Sequence, residues 1–390
     1  MKSTFNPLSP FLTPDDHPVS FAELFFDLVF VYAITQVVHL MNGGFDWIHV
    51  VGAILVFWLV WWAWTQYSWA LNAANTNHRA IQLVMLIATA IAFFMAVSVP
   101  QAFGSSSQWF ALAYVAVRGI GLLIYLWVTW PDPAMRNAVR TFSILSIAGL
   151  CSALAGGFLG GELQYVLWGL TIVLDLSAAG IGGNKEGWNL HPKHFSERHG
   201  LFVIIALGET LIISASAATE EFSNVYLLAV SSLSVAITCC LWWMYFFRAK
   251  EKLEHAMESK TGIDRSRLGR DTYSLLHFPL ICGLIIYAFA IEEAMSHPHA
   301  VLSLAARTAL ALGICIYSFG LVSTHWRATG KILVSRLIIS ILTAACIYFV
   351  TGVETYWTLT IAFIGLALLC TVEEIYSPFG KDIEEGIEID

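Results

Sequence analysis

Residues 80–101 read AIQLVMLIATAIAFFMAVSVPQ, with no charged side chain in 22 positions. A helix that long covers about 33 Å at a rise of about 1.5 Å per residue. That is enough to cross the roughly 30 Å hydrocarbon layer of a bilayer. An isolated strand there would leave its N–H and C=O groups unpaired in lipid, so the segment is a membrane-spanning helix. The rest of the chain is built the same way. Of its 390 residues 57% are hydrophobic and 12% are charged, and the mean hydropathy is +0.69. A soluble domain carries about twice that charged fraction.

Working outward, apolar segments predict spans near 21–41, 47–66, 80–101, 107–130, 140–160 and 163–183. A second set follows near 198–217, 224–247, 273–294, 302–323, 333–351 and 355–376. The fold class is therefore an all-α integral membrane protein of about twelve transmembrane helices. The basic residues test this map. Threading the loops alternately through the two sides puts every Lys and Arg except Arg118 and Arg307 on the side of the N-terminus. Those two fall inside spans. The positive-inside rule makes that side cytoplasmic, so both termini are expected in the cytoplasm of a cell inner (plasma) membrane protein. Trp61, Trp62, Trp64, Trp242 and Trp243 fall near span ends on that side, where interfacial aromatics are expected. Met1 to Ser20 lacks the basic-then-apolar order of a cleavable signal.

The organisation follows from the spans. Residues 1–20 form a cytoplasmic N-terminal segment and 21–183 a first six-helix half. Residues 184–197 form a polar, solvated linker, and 198–376 a second six-helix half. A charged cytoplasmic loop, 248–272, interrupts the second half with spacings that suit a short solvated helix, and 377–390 is an acidic tail. The halves carry short matches in order. Phe21-Ala22-Glu23 pairs with Phe195-Ser196-Glu197, Trp61-Trp62 with Trp242-Trp243, and Ala116-Val117-Arg118 with Ala305-Ala306-Arg307. Two parallel six-helix pseudo-repeats are the architecture this order implies, an arrangement that occurs in transporters.

Two stretches carry a family resemblance. The first span reads Phe21-Ala22-Glu23-Leu24-Phe25-Phe26-Asp27-Leu28-Val29-Phe30-Val31. The seventh reads Glu197-Arg198-His199-Gly200-Leu201-Phe202-Val203-Ile204-Ile205-Ala206-Leu207-Gly208-Glu209. Both resemble the bacterial low temperature requirement A (LtrA) family, in the right order and at a fitting separation. The resemblance implies a polytopic membrane protein linked to growth in the cold. The family's name describes a phenotype and supplies neither substrate nor reaction.

A charge at mid-membrane costs at least about 2.5 kcal/mol on insertion scales, so each one needs a partner, water or a function. Glu23 and Asp27 share one face of the first span at i,i+4. Arg118 lies near the middle of the fourth span, Asp175 in the sixth, and Arg307 toward the outer side of the tenth. Glu209 stands about 18 Å along the axis from the Glu197-Arg198 pair that opens the seventh. These eight residues form the candidate intramembrane polar network, read either as structural ion pairs or as a path for a solute, a cation or protons. His191, His194 and His199 cluster, but Pro192 and Lys193 intervene, and a solvated linker is expected there rather than a metal site. The seven cysteines all lie in apolar runs and read as packing residues. Gly156-Gly157-Phe158-Leu159-Gly160-Gly161 contains a GxxxG spacing that lets helices approach closely, with a homo-oligomer face as a second use.

No nucleophile set, metal helix or phosphate loop appears, so no catalytic residue, metal or cofactor is expected. No basic aromatic stripe supports nucleic-acid binding. The expected partners are the lipid bilayer and a small solute or ion. A transporter or channel is the favoured reading. A membrane enzyme acting on a lipid-like substrate and a non-catalytic sensor or scaffold remain open beside it.

Overall fold

A computed structural model describes residues 10–13, 17–41, 47–188, 190–220 and 223–376. The tail 377–390 and most of the N-terminal segment lie outside the described residues. The chain forms α1 (Phe21–Leu40), α2 (Trp47–Ala73), α3 (Arg79–Ser98), α4 (Ser107–Thr129), α5 (Pro133–Leu159), α6 (Gly161–Gly182) and α7 (Pro192–Glu220). There follow α8 (Val225–Trp243), α9 (Lys250–Glu258), α10 (Gly262–Gly269), α11 (His277–Ser296), α12 (Leu304–Thr329), α13 (Val334–Phe349) and α14 (Thr355–Tyr376). Among the described residues eleven helical segments are long and apolar enough to cross a membrane, and α13 is a shorter apolar helix of 16 residues. The chain is a multi-pass helical membrane protein.

Local chemistry sets several helix ends. Ser20 and Glu23 form a reciprocal capping box at the start of α1. Pro133 sits in the first turn of α5, and Asp132 accepts from the amides of Ala134 at 2.8 Å and Met135 at 3.0 Å. That cap starts α5 seven residues before the expected 140, because hydropathy alone discounts the turn holding Arg136 and Arg140. Pro192 likewise starts α7 six residues before the expected 198.

The helices cluster into two compact units. One comprises Met1–Ala206 and Lys252–Phe278, the other Leu207–Glu251 and Pro279–Asp390. In the first unit α2 is central, with every residue from Leu55 to Ser68 buried. Trp61, Trp62 and Trp64 are therefore core residues rather than interfacial ones, which corrects the expectation from span ends; α2 continues to Ala73 and buries them against its neighbours. Trp242 and Trp243 are exposed.

Two other expectations are corrected. The 184–197 segment is not a solvated linker throughout, since Leu190, His191, His194, Phe195 and Ser196 are buried. Its last six residues, 192–197, begin α7. The 248–272 loop forms two short helices rather than one solvated helix, and Leu253, Met257 and Leu268 bury an apolar side. Among the described residues π-helical turns flank this pair at Met244–Ala249 and Arg270–Leu275.

The small residues of the Gly-rich stretch are used inside the first unit. A Cβ on Gly156 would stand 2.6 Å from Trp168 of α6, and one on Gly157 would stand 2.3 Å from the Ala111 Cβ of α4. Gly160 and Gly161 take φ of +65° and +57°, the left-handed turn that reverses the chain between α5 and α6. Gly157→Ala is expected to lower stability by about 1–3 kcal/mol through overpacking, because the Ser107 carbonyl at 2.9 Å is backbone and gives little. Thermal aggregation of the detergent-solubilised variant, followed by size-exclusion chromatography, checks this.

Candidate functional site

α2 carries polar contacts on two flanks in the first unit. On one flank α1 offers Glu23 and Asp27 one turn apart, and α7 offers His194 and Arg198 at the same i,i+4 spacing. The two faces meet. Arg198 Nη1 donates to Glu23 Oε1 at 3.2 Å, and Nη2 donates to Asp27 Oδ1 at 2.5 Å. Trp64 of α2 donates its indole N–H to the same Oδ1 at 2.8 Å, and the guanidinium lies 5.6 Å from the Trp64 ring. Ser20 donates its amide and hydroxyl to Glu23 Oε2, both at 2.9 Å. Glu23, Asp27, His194 and Arg198 are at most 1% exposed.

Asn72, near the end of α2, fixes the histidine. Its Oδ1 accepts the His191 amide at 2.8 Å, and its Nδ2 donates to the His191 carbonyl at 3.0 Å. The same Nδ2 lies 3.1 Å from His194 Nδ1. An amide NH2 can only donate, so Nδ1 accepts and the ring proton sits on Nε2. That nitrogen is 3.0 Å from Glu23 Oε1.

On the other flank Arg118 of α4 meets Asp175 of α6 in a two-point pair of 3.1 and 3.3 Å. Arg118 Nη1 also donates to the Tyr114 hydroxyl at 2.7 Å, and Nε donates to Gln66 Oε1. Gln66 Nε2 donates back to the Arg118 carbonyl at 3.0 Å. Neither charge is exposed. A planar guanidinium suits this four-way contact better than an ammonium would.

Between these helices lies a narrow cavity. Trp62, Thr65, Gln66 and Trp69 of α2 line it, with Tyr125 of α4, Phe142 of α5 and Ala179 of α6. Gly183, Trp188, Ser266, Arg270 and Ser274 also line it. Trp188 meets the rings of Trp69, Tyr125 and Phe142 edge-on, with centroids 5.5, 5.6 and 6.2 Å away. Arg270 is neutralised by Asp271 at 2.7 Å. The Thr65 hydroxyl is buried without a hydrogen-bond partner. The floor residue Gln66 is also a ligand of Arg118, so the cavity touches one ionic contact directly.

The remaining sequence-selected residues are Glu197, Glu209 and Arg307. Glu197 accepts the Val19 amide at 3.4 Å and is half-buried. Glu209 is buried on α7 in the second unit. Arg307 donates to the Val350 carbonyl at 2.8 Å, where α13 ends. In the second unit Arg336 of α13 pairs with Glu373 of α14 through two contacts of 2.6 Å. Among the described residues no group of three or more His, Cys, Asp or Glu side chains could hold a metal ion.

Sequence reading missed Asn72, Gln66, Tyr114 and Arg336, assigned His194 to a solvated linker and read Trp64 as interfacial. A usable signal existed for His194 and Tyr114, since each stands four residues before an arginine of its own helix.

The sequence profile of the bacterial low temperature requirement A protein (LtrA) family matches residues 18–371. The uncharacterized protein RA0937 of Rhizobium meliloti (strain 1021) is 28% identical over 302 residues, covering 73% of this chain and 71% of that protein. No solved structure matches.

Proposed function

We propose that this chain, which belongs to the bacterial low temperature requirement A family, is a membrane transporter for a small organic solute that enters from the cytoplasmic side. The cavity carries the reading. It is walled by α2, α4, α5 and α6 and lined further by Trp188 and the 252–278 segment, and it pairs an aromatic and apolar lining with a few polar groups, the composition of a small-molecule site. Buried charges supply the second support, since ionisable groups inside membrane helices commonly mark substrate or ion pathways. The ordered short matches between the two halves agree with it, as parallel repeats are common among transporters.

In this account Trp188 is the lid. It leans on three rings by edge contacts, each worth about 0.5–1.5 kcal/mol beyond burial. One hydrogen bond, from its indole to the Gly182 carbonyl at 3.0 Å, holds its outer edge. Ala179 lines the cavity from α6 with an apolar side chain, and its carbonyl accepts from Arg270 at 3.3 Å through the backbone alone, so Ala179→Phe fills the space and leaves both ionic contacts intact.

A thermal-shift screen of purified protein against small neutral, anionic and cationic organic solutes tests the site. At least one solute class is expected to stabilise the wild type and to leave Ala179→Phe unshifted. Trp188→Ala is expected to bind the same class more weakly and release it faster. Equal shifts in wild type and Ala179→Phe would place binding elsewhere and sink this reading.

A further inference from the structure

We propose that the Glu23–Asp27 pair holds one exchangeable proton, sited on Oδ2 of Asp27. The argument is a charge count in a closed space. Two carboxylates and one guanidinium meet, all at most 1% exposed. His194 adds no charge, because the Asn72 amide occupies its Nδ1 and the ring proton on Nε2 faces Glu23. With both carboxylates ionised the site would carry one uncompensated negative charge away from water. A buried unpaired charge is neutralised rather than tolerated.

The donors say which oxygen takes the proton. Glu23 receives donors on both oxygens: Arg198 at Oε1, with His194 Nε2 also 3.0 Å away, and the Ser20 amide and hydroxyl at Oε2. These donors favour the anion. Asp27 receives Arg198 and Trp64 on Oδ1 alone, and its Oδ2 is buried without a hydrogen-bond partner. Oδ2 is the oxygen at which a proton displaces no donor.

The other titratable groups near the pair are His17, His199, Tyr273 and His277. His17 stacks on the His194 ring at 4.3 Å. His199 lies 4.9 Å from Trp64 and gives its Nδ1 proton to the Phe195 carbonyl, while its Nε2 is buried without a partner, so a second proton there would be an orphaned donor. Tyr273 and His277 lie beyond His199 at 4.9 and 5.7 Å. On α2 the pair meets Trp64, which does not titrate in water. The packed face of α3 adds no ionisable side chain. A sodium ion fits poorly, because Asp27 Oδ2 is the one oxygen of the two carboxylates without a donor, and a hard cation needs several oxygen ligands.

Release breaks the Asp27 O–H bond and passes the proton to water, taking the pair with Arg198 from net zero to −1. Any movement that withdraws Arg198 holds the proton more firmly, and any movement that admits water frees it. In a transport cycle this is the coupling proton, and that consequence alone rests on the transport reading.

Infrared difference spectroscopy of the full chain in liposomes, between acid and alkaline buffer, tests the assignment. Wild type is expected to show a carboxylic acid C=O band that Asp27→Asn loses and that Glu209→Gln keeps. Asp27→Asn, isosteric with the protonated acid, is expected to match the wild-type melting temperature at neutral pH, whereas Glu23→Gln melts lower. A band unchanged in Asp27→Asn overturns the proposal. So does a wild type without the band whose melting temperature rises with sodium through Asp27. A confirmed band without pH-gradient-driven solute uptake leaves the proton in place and removes only its coupling role.

Discussion

Arg198→Gln is expected to cost about 3–5 kcal/mol, because it strips the cation from a closed site that still contains a carboxylate. The guanidinium serves Glu23 and Asp27 together and stacks near Trp64. Removing it leaves Glu23 anionic with only neutral donors. The variant is expected to express poorly and to elute as aggregate after mild heating in detergent. Second-site changes sharpen the test. Adding Glu23→Gln removes the remaining charge and is expected to recover most of the lost melting temperature. Adding Asp27→Asn is expected to recover little, since that carboxyl is already neutral. The reverse order of rescue would show that the anion resides on Asp27.

Arg118→Gln has an effect of the same size for the same reason. Asp175 has no exposed surface, and Arg118 is its cation through two contacts. Truncating one partner of such a pair costs about 3–5 kcal/mol, while replacing both is far milder. The double variant Arg118→Gln/Asp175→Asn is therefore expected to melt well above Arg118→Gln alone. Arg118→Lys is expected to stay low, since one ammonium cannot serve Asp175, Tyr114 and Gln66 in their present positions. Fluorescence-detected size-exclusion thermostability measures all three. If the lysine variant matched wild type, the four-way contact would have no energetic role.

How far the sequence reaches differs between fold and site. Charge-free runs such as 80–101 identify helices because lipid leaves the backbone no other solution. Ends were less legible where a capping residue and a proline outweigh local polarity, as at Asp132-Pro133 and Pro192. The pairing of Glu23 and Asp27 on one face was readable from spacing alone. Their partners were not, because pairing across helices depends on which helices are neighbours. His194 shows this well. In the sequence it sits among Pro192, Lys193 and Ser196 and reads as solvated loop, yet the early start of α7 turns it onto the Arg198 face. Trp64 and Asn72 were hidden by the same cause: α2 runs on to Ala73 inside protein, where a hydropathy window ends the span near residue 66. The partner of Arg307, the Val350 carbonyl at the end of α13, was out of reach because it too depends on which helices are neighbours.

The transport claim is tested most directly by uptake into proteoliposomes. Wild type, Ala179→Phe and empty vesicles are compared across a panel of labelled small organic solutes, with an imposed pH gradient and dyes for internal pH and membrane potential. The account predicts gradient-dependent accumulation of at least one solute by wild type and none by Ala179→Phe, with both proteins equally folded and inserted. Wild-type vesicles that match empty ones across the whole panel, or an Ala179→Phe variant that accumulates as wild type does, would contradict it.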